Sequence, residues 1–409
     1  MKWLRGDDIK KFLSGHDYDV RKTGNARWID QKCAADVITI IADCILQYDE
    51  HNPDSEGFTS IDIWHDEYTV SFVESIFKKP NLSEQKAKSE YDKFFQQPME
   101  MFANAGILSK SKKGRCNFYA ITDRAVLEYI AIRERNALTF LQMYIEKVLT
   151  DSGLMPLFDH FFDKQDKSSY ADMKDGFSDF TICHTKINGK VECNRIFIKV
   201  LNPLAFLRGK CGTERGNLSK GRITYDMLMY NRDNFRDIYA NKPKELTRRQ
   251  YAEQVGLEPS VKLNSYLSQK AKRLLRVFNT TFRTGKSEIV DQHIGDIATH
   301  IHHIFPEADF PEICSYLENL IAITPTQHLN YAHPNGNTGR INRDYQQICL
   351  IAKAGTIKET IGDDDRDQIY SFGDFMYVLF VGLSNDAFLE IEDGDFDDAV
   401  SMINLAYTG

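Results

Sequence analysis

The chain is poor in features that direct a protein to a membrane or an oxidising compartment. Its eight cysteines are scattered over 409 residues, at 33, 44, 116, 183, 193, 211, 314 and 349, with no CxxC pair. That density excludes a disulfide framework, and the spacing gives no support to a four-cysteine zinc site. Long apolar runs are missing too. Phe375 to Leu383, the most apolar late segment, falls well short of the ~20 residues a bilayer span needs. The first eight residues, Met1 to Asp8, contain no apolar stretch of the signal-peptide kind, so a cytoplasmic protein with no membrane partner is expected. The three tryptophans, at 3, 28 and 64, are too dispersed for sequence to decide whether they build an aromatic cage. What is present is ordinary globular material: 42% hydrophobic and 12% aromatic residues suffice for a core in each of two or three domains.

A formal net charge of -8 argues at first against a nucleic-acid partner, but the charge is uneven. From Arg195 to Lys286 there are 20 Lys and Arg against 7 Asp and Glu, a local +13 that leaves -21 for the remainder. A basic stretch inside an acidic chain is the pattern of a localised polyanion-binding face. Arg208, Lys210, Arg215, Lys220, Arg222 and Arg232 are the candidate DNA-binding residues within it. Glycines 209, 212, 216 and 221 would let backbone approach a ligand.

The pattern of residues divides the chain into three regions. Residues 1–150 are expected to be mainly helical, with a basic hairpin at Ile107 to Thr122 and Asp123 capping the next helix. Helix, hairpin and helix is a winged-helix plan, in which Lys110, Lys112, Lys113 and Arg115 would meet phosphates. Residues 151–290 are expected to be a basic α+β DNA-recognition region. Asp179–Cys183 and Val191–Val200 suggest paired strands about Asn188-Gly189, a strong hairpin signal. Thr247 to Leu257 offers a weak second helix-turn-helix pattern. Residues 291–409 would hold the chemistry, followed by a helical acidic tail.

In that last region Ile301-His302-His303-Ile304-Phe305-Pro306 is followed by Asn319, sixteen positions after the second histidine, and by His328, nine positions later. Ile297 to Phe305 and Leu320 to Ile323 suggest strands. Thr324, Pro325 and Gln327 then open a helix as N-cap, N1 and the N3 member of a capping box. Such residue types suit one kind of chemistry, in which imidazoles hold a divalent metal on a phosphodiester while a neutral imidazole activates water.

This string resembles the HNH nuclease superfamily, whose catalytic element is the ββα-metal finger, and its flanks resemble bacterial restriction endonucleases. The matching text is His302 to Pro306, Leu317 to His328 and Ala332 to Thr338, and the resemblance covers roughly residues 295 to 355. It implies that His303 is the general base, His302 and His328 are metal ligands, and Asn319 bridges the finger and orients the base. His302 stands where many relatives carry a carboxylate. His333 lies five residues beyond His328, which on an α-helix is a different face, so its ligation is left open. The implied cofactor is a divalent metal, Mg²⁺ first, with Mn²⁺ or other divalent ions possible. The expectation is therefore an α+β multidomain type II restriction enzyme. It would cut double-stranded DNA sequence-specifically as a homodimer and leave 5′-phosphate and 3′-hydroxyl ends. The alternatives are a modified-base-dependent HNH endonuclease and a DNA-binding regulator with an inactive finger.

Overall fold

The computed structural model describes residues 4–77, 87–230, 261–290, 297–333, 341–363 and 369–408. The protein is mixed α and β, mostly helical, with three two-stranded antiparallel sheets among the described residues. The chain groups into two compact units, Met1–Glu258 and Pro259–Gly409. The sequence pattern suggests divisions at 150/151 and 290/291. Instead, most of the basic middle region belongs to the first unit, and its end opens the second. No helix among the described residues is long and apolar enough to cross a membrane.

The N-terminal unit is built around helix α1 (Ala35–His51), buried on all sides from Ala35 to Leu46. A helix buried around its whole circumference has to be a central one. Its buried acids are answered locally: Asp36 accepts the Tyr230 N–H at 2.9 Å and Asp43 the Tyr68 hydroxyl at 2.6 Å. Helix α2 (Ala87–Asn104) leads into the expected hairpin, β1 (Leu108–Lys113) with β2 (Cys116–Ile121), in register from Leu108↔Ile121 to Lys113↔Cys116. Asp123 caps α3 (Arg124–Ile132), its carboxylate accepting the Val126 N–H at 2.9 Å. Helices α3 and α4 (Glu134–Asp151) both pack against α1.

Beyond residue 151 the expected strands are replaced by helices. Asp179–Cys183 lies in α5 (Lys167–His184) and Val191–Val200 in α6 (Lys190–Leu207), while Gly189 is the N-cap of α6 rather than part of a hairpin turn. The periodicity explains the outcome. Cys193, Ile196, Phe197, Val200, Leu201 and Leu204 are buried at helical spacing, so tertiary burial outweighs the local β-propensity of the branched residues. The hairpin of this region comes later, as β3 (Cys211–Glu214) with β4 (Asn217–Arg222). Its turn, Arg215-Gly216, has φ of 51° and 81°, the doubly left-handed conformation that two-residue hairpins need. Gly212 also serves the fold: a Cβ there would meet Asn202 Oδ1 at 2.5 Å. Thr247 to Leu257 falls outside the described residues.

The C-terminal unit opens with α7 (Val261–Phe282), which packs on the antiparallel pair β5 (His300–His303) and β6 (Leu320–Ile323). The register His300↔Ile323, His302↔Ile321, His303↔Leu320 fixes how the two strands pair. Fully buried β6 is anchored by Glu288, which donates its N–H to the Ala322 carbonyl at 2.9 Å and accepts the Ala322 N–H on its carboxylate at 2.8 Å. Lys353, wholly buried, neutralises that carboxylate at 3.0 Å and donates to the Tyr370 hydroxyl at 2.9 Å. A π-helix (Gln327–Ala332) follows β6, and the tail forms α8 (Arg343–Ile361), α9 (Phe372–Leu383) and α10 (Phe396–Tyr407).

Candidate metal centre

Alternation along β5 puts His300 and His302 on one face of the strand and His303 on the other. Across from the first face the helix begins as the sequence suggests. Gln327 Oε1 accepts the Thr324 N–H at 2.9 Å, Thr324 Oγ1 accepts the Gln327 N–H at 3.1 Å, and the Ser287 hydroxyl holds Gln327 Oε1 at 2.6 Å. The turn then widens. His333 donates its N–H to the carbonyl of His328, five residues back, at 3.2 Å. The helix ends before His333, which follows Ala332 as an extended C-cap with φ -117° and ψ 101°, so its ring is not held to the helical face five residues on and lies beside that of His328.

His302, His328 and His333 offer one ring nitrogen each, all within 4.8 Å of one another. The rings pack edge to face at 4.8 to 5.2 Å between centroids, and His300 stacks on His328 at 4.9 Å. Burial, reinforced by His328 and His333, lowers the His302 pKa to about 3. Burial, then His333 and His300, lowers that of His328 to about 4. Both rings are thus neutral at physiological pH and present lone pairs. His328 Nδ1 is buried without a hydrogen-bond partner among the described residues. An orphaned imidazole nitrogen beside two other imidazoles fits a divalent cation, for which all three are good donors.

On the opposite face His303 Nε2 lies 2.9 Å from the Cys314 carbonyl. A carbonyl only accepts, so Nε2 carries the proton, and in the neutral ring Nδ1 is left as the basic nitrogen. Ser268 Oγ is 3.4 Å and Glu307 Oε2 4.0 Å from the same nitrogen. Burial first, and the charge of Lys272 second, lower the His303 pKa.

Asn319 does not touch His303. Wholly buried, it accepts the Phe305 N–H at 2.8 Å and donates to the carbonyls of Phe305 at 3.0 Å and Ile313 at 3.2 Å. It therefore clamps the loop between β5 and β6, and that loop carries the Cys314 carbonyl one residue beyond Ile313. The tail supports the same loop, Gln346 donating to the Ile304 carbonyl at 2.7 Å while the Tyr407 hydroxyl holds Gln346.

The candidate DNA-binding residues belong to the other unit. Arg208 is engaged by Asp159 at 2.7 Å and Glu146 at 3.2 Å and lies over the Phe162 ring, which makes it part of the packing. Lys210 is half-buried, while Arg215, Lys220 and Arg222 are exposed on the β3–β4 hairpin. Arg232 lies outside the described residues. On the first hairpin Lys110 pairs with Glu100 at 2.5 Å and Lys113 covers the Phe118 ring, and all four cations, Lys110, Lys112, Lys113 and Arg115, are exposed. Sequence reasoning passes over Ser268 and Lys272, because no spacing rule links a helix to a strand some thirty residues away, and over Glu307, which no motif singles out. In comparisons with known proteins the chain matches no family model, no curated protein and no solved structure.

Proposed function

We propose that the C-terminal unit is a metal-dependent phosphodiesterase site of the HNH type, and that the protein is an endonuclease acting site-specifically on double-stranded DNA. The observation that carries this reading is the convergence of three imidazoles from β5 and the π-helix segment beside a fourth histidine, His303, whose tautomer is set by a backbone carbonyl. His302, His328 and His333 would hold the cation. Once bound, it would supply positive charge to polarise a phosphate oxygen and offset charge on the leaving group. His303 takes a proton from the attacking water at Nδ1, while the Cys314 carbonyl keeps the Nε2 proton in place and favours the ring as it becomes cationic. Asn319 holds the loop that presents that carbonyl. Hydrolysis in this sense leaves 5′-phosphate and 3′-hydroxyl ends.

Three imidazole donors support a borderline transition metal such as Ni²⁺ or Zn²⁺ ahead of Mg²⁺, the first expectation from sequence, with Mn²⁺ as a harder alternative. The excess of positive charge from Arg195 to Lys286, with Arg215, Lys220 and Arg222 exposed, supports DNA as the substrate. A palindromic site cut on both strands would require two copies of the chain. The test is digestion of unmethylated phage DNA with each metal in turn. Discrete fragments are expected from the wild type. His303→Ala should lose ~10²–10⁴-fold in cleavage rate while retaining DNA affinity in a gel shift. Intact DNA in every metal, or undiminished cutting by the variant, overturns the reading.

A further inference from the structure

One cationic side chain near the imidazoles has no part in the chemistry described so far. Helix α7 packs against β5 and β6, and Ser268 on it is buried, its hydroxyl donating to Glu307 Oε2 at 3.0 Å and lying 3.4 Å from His303 Nε2. Lys272 follows four residues later, on the same face of the helix. It is half-buried and, among the described residues, forms no ion pair and no hydrogen bond. One turn beyond Ser268, whose hydroxyl lies against His303, it stands on the face of α7 that packs on β5 and the loop leading to β6. The nearby carboxylate of Glu307 is occupied by Ser268 and does not pair with it.

An unpaired ammonium beside a cluster built for a second cation is repulsive unless an anion lies between the two. We propose that Lys272 is a substrate-binding residue that holds the phosphate anion of the substrate against the imidazole cluster. The identification of that anion as a phosphodiester rests on the nuclease reading. Lysine fits this role as a compact point charge on a flexible stem, able to follow a phosphate that changes shape during displacement.

The experiment uses the full-length protein loaded with Mn²⁺ and inorganic phosphate as the probe. Paramagnetic broadening of the ³¹P signal reports phosphate close to the bound ion, and Mn²⁺ uptake is measured separately by electron paramagnetic resonance. Wild type should broaden the signal saturably. Lys272→Ala and Lys272→Gln should weaken phosphate affinity about tenfold or more with Mn²⁺ uptake unchanged, and Lys272→Arg should restore most of it. Equal phosphate affinity in wild type and the two neutral variants overturns the proposal, as does an absence of broadening in wild type. Failure of the wild type to cut DNA, combined with Lys272-dependent phosphate binding, would refute the nuclease reading and leave the anion site standing.

Discussion

At the scale of single residues, the site depends on which ring nitrogens are left with lone pairs. His302 and His328 are kept neutral by burial and by their histidine neighbours, and His328 Nδ1 has no hydrogen-bond partner among the described residues. His333→Ala should weaken Mn²⁺ or Zn²⁺ binding by at least the ~10–100-fold that loss of an outer supporting contact costs a metal site, measured by calorimetric titration. Wild-type affinity in that variant would remove His333 from the ligand set. His302 and His328 are legible in the sequence because a doubled histidine on a β-branched run and a capping box are local patterns. His333 is not, since its approach to His328 depends on the helix ending at Ala332, and no residue type there announces that end. Lys272 is equally hidden, being one lysine among many until α7 is laid on β5 and β6.

Elements explain why the loop carrying Cys314 is rigid enough to set a tautomer. Asn319 clamps it, Gln346 of α8 holds its start, and α9 presses on Phe305. The last contact depends on Gly382, where an added Cβ would fall 2.4 Å from the Phe305 ring. Gly382→Ala should therefore destabilise the C-terminal unit by about 1–3 kcal/mol, as overpacking of a close-packed contact does, and thermal denaturation would check this. A variant as stable as wild type would show that the ring moves aside freely. The sequence signals the β1–β2 hairpin and the capped helix α3 correctly because turn and cap residues act over a few positions. It misdirects at α5 and α6 because the strand cues there, branched residues and Asn188-Gly189, are also local. The opposing cue is the buried stripe from Cys193 to Leu204, which becomes decisive only when another helix covers it.

Over the whole molecule, stability of the second unit should depend on pH through Glu318, whose carboxyl is buried. Burial and the neighbouring Asp374 raise its pKa from 4.5 to about 7, and its carboxylate accepts the Ser371 N–H at 2.9 Å. Because the folded value is the higher, the native unit binds more protons than the unfolded chain between those values. The contribution is present in full below about 4.5 and is lost as pH rises through about 7. A shift of this size corresponds to roughly 3 kcal/mol. The depressed values of His302 and His328 make stability rise with pH below about 6.5, so the Glu318 contribution is read as a difference: in denaturant melts from pH 4.5 to 8 the wild type should lose stability relative to Glu318→Gln, whose amide oxygen still accepts from Ser371. Parallel pH profiles for the two proteins would assign the effect elsewhere. The division of the chain after Glu258 is the least legible property of all. Composition changes gradually across the basic region, whereas the boundary reflects which helices share a core, and that is decided by contacts distant in sequence.

The π-helix also has a consequence for chain length. Its wider turn accommodates one residue more than an α-helix would between two side chains on the same face. Removing one exposed residue, Asn330, should let the segment relax to α-helical pitch with the two histidines four apart and again adjacent, since residues i and i+4 share a face. Metal uptake by the Asn330 deletion should be close to wild type, measured by equilibrium dialysis against Zn²⁺, and a loss of uptake would show that the five-position spacing is required. The centre would then tolerate its last two histidines standing either four or five positions apart.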